Sequence, residues 1–421
     1  MRASFYECDI TPPLGGYIMG HYKKVLGEDV LDCLYAKALV IEDEGEFAAI
    51  VAVDTLSIPE EMHEIVTKRI FDYTEISPEC VCISSNHTHK GAPVFDSPEI
   101  NCFADAAYRD VFFRRVADAV ILAYKRLGDE PVTVKFGKIE VPGIGYNRDG
   151  ITEDGRLVTH VRGKKNIKAI LGQTDPELSV IGFEKNGKLI GAIMNFACHQ
   201  DCTGSVQSYS GDYSSVMAKE LKEVYGNDFV SLFLLGTCGD INNAHYDTAT
   251  PKKKHQTIGK TLAEAARIAM ADGVEIGSGV AVVKEKIKIK RRIADAEYLA
   301  KAFHEWDKVG RLRNLLYYHA SNDKEFSELY VQAIRIGNTC IYVLPGEMFV
   351  QSGLRIKAES PYENSIVVEN SNSYCGYVPT ENAFGENSDL YEASLCYHSC
   401  LVPEAGNLLT EKALELGEKL K

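Results

Sequence analysis

The chain of 421 residues is short of positive charge and has no long apolar run. Lys plus Arg total 46 against 60 Asp plus Glu, a net charge of −14. That balance disfavours a polyanionic partner such as nucleic acid, and also an anionic membrane surface. No window approaches the ~18 uninterrupted apolar residues of a membrane-spanning helix. The longest apolar stretches, such as VSLFLL at 230–235, have the length of buried strands. The opening MRASFYECDITPP lacks the apolar segment of a secretory signal. Zinc-type cysteine spacing is missing as well: neither Cys80/Cys82 nor Cys396/Cys400 has the CxxC pattern, and the twelve cysteines follow no framework. Reduced thiols in a cytoplasmic protein are expected, buried as small hydrophobes, with no stable membrane association. Internal sequence repeats and low-complexity linkers are absent too, so one domain over 1–421 is expected.

What is present is a strand–helix–strand rhythm. KALVIED (37–43) and FAAIVAVDTLSI (47–58) read as strands meeting at Glu44–Gly45. In PEEMHEIVTKRIF (59–71), Pro59 suits a first helical position, and Met62, Ile65, Val66 and Ile70 share a face. ECVCISS (79–85) is the next strand. Beyond it the spacing predicts a helix over 106–127, a strand near 132–140, and a hairpin over 177–200 turning at an AsnGly pair. A helix follows within 210–226, then VSLFLL runs into GTCGDINN. VKEKIKIKRR (283–292) reads as an edge strand with a solvated basic face. A helix over 295–319, a strand pair over 328–345, a helix from about 348 and a strand over 364–370 come next. A Tyr-rich loop (372–397) and a short terminal helix complete the chain. The order predicts an α/β (α+β) fold with mixed β-sheets.

Chemistry is expected beyond the carboxyl ends of strands, where ligands gather in open α/β sheets. SSNHTHKG (84–91) lies at such an end. In a strand-like segment residues i and i+2 face one side, so His87 and His89 can look into one cavity. An HxH pair alone is equally a structural feature. His199, in NFACHQD, ends a second apolar strand, and Glu347, in VLPGEMF, follows a third. His, His and Glu form the ligand set of a catalytic zinc with one position open to water. Glu347 also reads as an acidic residue favoured near a helix start by the helix dipole.

DITPP, NHTHKGAP, YNRDG, NFACHQ with SGDYSS, GTCGDINN, LPGEMFVQSGLRIK and NSYCGYVPT occur in one order from about residue 8 onward. In that order the chain resembles the catalytic domain of the neutral (non-lysosomal) ceramidase family. The resemblance implies one Zn2+ held by His87, His199, Glu347 and Tyr377, and hydrolysis of an amide bond. It places His89 beside the ion as proton donor or oxyanion holder, with Tyr374 as a second donor. Asn147 and Arg148 fall on the family's AsnArg loop, where Arg148 would fix a polar or anionic group of the substrate. Asp240 is expected behind a ligating histidine or at the substrate, or else simply as a turn-forming residue.

Departures from the family pattern bear on mechanism and substrate. Asn242 stands where the family has a serine, so a nucleophilic serine is not expected. The chain stops before the family's immunoglobulin-like domain, and the segment after HTHKGAP is short. The expected function is a zinc-dependent amidohydrolase acting on a soluble N-acyl small molecule. An esterase, lactonase or glycan-directed hydrolase is the alternative within enzymes. A metal- or ligand-binding protein that has lost turnover is the alternative outside them.

Overall fold

The computed structural model describes residues 1–21, 24–98, 101–204, 207–305 and 309–421, with side chains at 304–310 also outside the described set. Its three main sheets are made by one chain order used three times. In the first, Arg2–Asp9, Tyr35–Asp43 and Glu46–Val53 run antiparallel in succession. Helix Glu60–Tyr73 then crosses over, and Val81–Ser85 adds parallel to Glu46–Val53. The second sheet repeats this with Thr133–Glu140, Glu177–Lys185 and Lys188–Phe196. Its crossover helix is Asp212–Tyr225 and its parallel strand Val230–Leu235. The third uses Val280–Lys290, Phe326–Ile336 and Thr339–Val343, then helix Val350–Glu359 and parallel strand Asn364–Val368. A further helix follows each parallel strand: Ala106–Lys125, His255–Ala271 and Ala405–Lys419. The sequence shows no repeat because topology is repeated without any matching residue pattern.

Local chemistry explains the turns. Glu44 and Gly45 have φ of 52° and 90°, and Asn186 and Gly187 have 52° and 74°. Two successive left-handed residues match the twist of an antiparallel pair, and Asn and Gly adopt that region most easily. Burial explains the layers. Leu39 and Ile50, Ile181 and Ile193, and Ile341 and Ile366 come from the three sheets and share one buried cluster. The opposite faces carry the helices: Val66 and Val116 pack with Val40 and Val51. Met217 and Leu262 pack with Val180 and Met194 on the second sheet. Strands covered on both faces lose the polar alternation of a solvated sheet, which is why they read as continuous apolar runs.

Several expectations need correction. Ile65 is 45% exposed, so the buried face of the first crossover helix is Met62, Val66 and Ile70. Pro59 caps that helix and does not lie within it. The strand Val280–Lys290 is an edge, but its basic face is not wholly solvated. Lys284 Nζ donates to the carbonyls of Pro78 and Val81 at 2.8 and 2.5 Å. Burial lowers its pKa to about 8. The helix expected over 295–319 appears as Ala296–Glu305 and Val309–Ser321, its middle lying outside the described residues. The terminal helix is 15 residues long.

Helix His255–Ala271 sits so close on the second sheet that a Cβ at Gly137 would lie 1.8 Å from the backbone oxygen of Ala269. Gly137→Ala is therefore expected to push the helix outward, costing about 1–3 kcal/mol. A fall of the thermal unfolding midpoint checks this; an unchanged midpoint would contradict the close approach.

Candidate metal centre

Each crossover unit delivers side chains from the carboxyl ends of its parallel pair. His87 and His89 follow Val81–Ser85, His199 follows Lys188–Phe196, and Glu347 follows Thr339–Val343. His87 is not in strand conformation: its φ is 63°. Convergence of the HxH pair therefore comes from a turn and not from strand alternation, at a cost of about 1 kcal/mol for a left-handed non-glycine residue. Asn86 holds that turn. Its Nδ2 donates to Asp54 Oδ1 at 2.6 Å and its Oδ1 accepts from Thr88 N at 3.1 Å. The His89 backbone N–H donates to Gln200 O at 3.1 Å, tying the first unit to the second.

The ring orientations are fixed by backbone carbonyls. Nδ1 of His87, His199 and His89 lies 2.7, 2.8 and 3.0 Å from the oxygens of Leu56, Cys238 and Gly20. A carbonyl oxygen only accepts, so each Nδ1 carries a proton, and in the neutral tautomer the acceptor is Nε2. The three Nε2 atoms face one another and a carboxylate. Glu347 Oε2 is 3.4 Å from His87 Nε2 and 3.3 Å from His199 Nε2. His89 Nε2 is 3.3 Å from His87 Nε2. Among the buried atoms lacking a hydrogen-bond partner are His199 Nε2 and Glu347 Oε2.

Acceptors gathered around one point need added protons or a cation. Burial opposes the protons: it lowers the pKa of His199, and brings that of His89 down to about 3. Burial would raise the Glu347 carboxyl, but charge and hydrogen bonding from His87 and His199, whenever those rings carry an Nε2 proton, hold it well below the usual carboxylate range. A cation between them would satisfy His87 Nε2, His199 Nε2 and Glu347 Oε2, and the donor set of imidazole nitrogen and carboxylate oxygen is one that zinc accepts. The residues present therefore fit a divalent metal.

A layer of buried contacts supports the cluster. Tyr374 OH donates to Glu347 Oε1 at 2.8 Å, and burial together with Glu347 keeps that phenol protonated. Glu369 accepts from Met348 N at 2.8 Å, and burial raises its pKa well above the ordinary value. A neutral Glu369 avoids a second negative charge behind Glu347. A Cβ at Gly20 would come 2.7 Å from His89 Nδ1, so glycine is required for that ring to reach its carbonyl.

The cleft over this cluster has a volume of about 380 Å³ and is lined by His87, His89, His199 and Glu347. Tyr374, Tyr377 and Arg148 line it too. Tyr377 is the register partner of Glu347 on a short parallel pair. Its ring lies 5.5 Å from the Arg148 guanidinium. Arg148 is committed internally: Nε and Nη2 reach Glu392 Oε1 at 2.8 and 2.7 Å, and Nη2 donates to Gly239 O at 2.6 Å.

Asn147 and Asp240 differ from expectation. Neither is among the residues lining the cleft. Asn147 Nδ2 donates to Asp240 Oδ2 at 2.7 Å, and Asp240 Oδ1 accepts from Val350 N at 2.8 Å. Asp240 thus caps the helix Val350–Glu359 in place of touching a histidine, because the His199 proton is already taken by the Cys238 carbonyl. Asn242 does line the cleft. Sequence reasoning missed Glu392, Asn314 and His398. Glu392 had no local signal, but Asn314 sits as a lone amide in LRNLL, and a polar residue on an apolar helix face is such a signal.

Fold and centre together define an α/β protein whose histidine–carboxylate cluster sits at the ends of three crossover units. Compared with solved structures, the whole chain is similar to neutral ceramidase from Pseudomonas aeruginosa. The TM-score is 0.76 at 18% identity, and 74% of that chain is covered. A ceramidase complexed with C2 is similar to the same degree, with TM-score 0.76, 18% identity and 75% of its chain covered. The likeness establishes the neutral ceramidase fold. No protein-family model and no curated protein matches.

Burial raises the Asp240 carboxyl to about 6. A folded-state pKa above the unfolded one gives stability that is full below the unfolded value and lost as pH rises through about 6. The unfolding free energy of wild type relative to Asp240→Asn should therefore fall by on the order of 2–3 kcal/mol between pH 4 and pH 7. Metal content should not change, because Asp240 touches none of the candidate ligands. Denaturant titrations across that range, with elemental analysis, check both; a loss of metal would place Asp240 at the centre after all.

Proposed function

We propose that this chain is a zinc-dependent hydrolase that cleaves the amide bond of a small N-acyl substrate. The observation that carries the reading is the pair of buried, unpartnered acceptors, His199 Nε2 and Glu347 Oε2, facing each other at 3.3 Å. His87, His199 and Glu347 would hold the ion, with Tyr377 as the further oxygen on the strand paired with Glu347. When bound there, zinc supplies Lewis acidity that activates water near neutral pH and polarises a carbonyl.

The chain's own groups do the remainder. The carbonyls of Leu56 and Cys238 lock the two rings in the tautomer that turns Nε2 inward. Tyr374 holds Glu347 Oε1, leaving Oε2 to face the cluster. His89 Nε2 lies beside the His87 ring at the cleft, placed to carry a proton to the departing nitrogen. Arg148, fixed by Glu392, lies over the Tyr377 ring at 5.5 Å and would help orient it. Asn242 in the cleft leaves no serine hydroxyl at that point, consistent with water as the nucleophile. Residues 1–421 would act as one catalytic unit, since all three crossover units contribute. With all twelve cysteines present as free thiols, a reducing cytoplasm suits the protein.

Incubation with N-acyl amides, ceramide and simple esters, with and without a chelator, tests the reading. Amide turnover abolished by the chelator and restored by zinc is expected. His89→Ala should lower kcat by about 10²–10⁴-fold while retaining the metal. Absence of metal-dependent turnover on any carbonyl substrate would overturn the proposal.

A further inference from the structure

The cleft has two unlike faces. One is apolar and small: Met19 and Leu56, packed with Phe95. The other is aromatic and polar. The ring of Tyr391 lies 4.8 Å from that of His398 at 37°, and Tyr377 meets Tyr391 edge-on at 5.5 Å. Tyr397, 39% exposed, lines the cleft too. Two polar atoms on this face have no hydrogen-bond partner although buried: Asn314 Oδ1 and His398 Nε2. Asn314 is only 3% exposed, and both residues line the cleft. An unmatched buried amide costs about 1–3 kcal/mol, a cost that a ligand can relieve.

We propose that the Asn314, Tyr391, Tyr397 and His398 face is a subsite for a polyhydroxylated group, so that the amide joins a short acyl chain to a sugar-like amine. The inference rests on the hydrolase reading for the reaction, but not for the binding. Hydroxyls complement the two unpaired atoms, while the C–H faces of a ring compound cover the tyrosines. A long alkyl chain would leave Asn314 and His398 unpaired and would find, among the described residues, the apolar side chains of Met19, Leu56 and Phe95 on the other face.

Zinc-loaded protein is titrated with N-acetylglucosamine, glucosamine and N-octanoylethanolamine, with saturation-transfer NMR as the readout. N-acetylglucosamine should bind, and Asn314→Leu should weaken it about tenfold, the loss of one buried hydrogen bond. Tyr397→Ala, at an exposed ring, should weaken it as well and carries the test if Asn314→Leu does not fold. No sugar binding to the wild type, or binding unchanged in the folded variants, overturns the subsite. Sugar binding without turnover would sink the hydrolase reading and leave the subsite standing. Turnover of the octanoyl amide without sugar binding would do the reverse.

Discussion

Everything at the centre follows from one constraint: a carboxylate oxygen and the Nε2 atoms of two imidazoles are buried together at close range. Glu347 Oε2 lies within 3.4 Å of two imidazole nitrogens. The backbone carbonyls that take the Nδ1 protons fix the ring orientations and turn each Nε2 inward. In water such a cluster would relax or be solvated. Here the rings are locked by main chain that belongs to the ends of buried strands, so the fold holds these atoms in an arrangement that fits a cation.

The threefold topology explains how one chain builds such a point. Each unit of three antiparallel strands, a crossover helix and a parallel strand places loops at the carboxyl end of its parallel pair. The three inner faces share a core, so these loops meet. The first unit contributes two histidines, the second one histidine, and the third a carboxylate with two tyrosines. Cross-unit hydrogen bonds, such as His89 N to Gln200 O, fix their mutual positions. Glycine is required where backbone runs closest: a Cβ at Gly239 would meet Glu347 O at 2.6 Å.

Much of this was legible in the sequence where burial dominates. The apolar runs at 47–53 and 230–235 are strands because both faces are covered, and the AsnGly turn is where its φ preference puts it. His87, His199 and Glu347 were legible as strand-end residues, but their convergence depends on the three sheets meeting, which has no sequence period. The HxH pair was read through strand alternation, whereas the left-handed His87 does the turning. Asp240 was read as support for an imidazole, a substrate contact or a turn residue, because an acid near a candidate ligand suggests the first of these. In the fold, a carbonyl does that work and the acid caps a helix.

The cleft above the centre divides the chemistry. The small apolar face and the aromatic face that carries Asn314 would give the two ends of the proposed amide different surroundings, and the histidine–carboxylate cluster lies in the same cleft. On the proposed reading, specificity would follow from the unpaired polar atoms and reactivity from the cluster. The central claim is tested most directly by diffraction from crystals grown with zinc, measured on both sides of the zinc absorption edge. The account predicts one anomalous peak at coordination distance from His87 Nε2, His199 Nε2 and Glu347 Oε2. A map empty at that point, with Glu347 turned away from both rings, would contradict it.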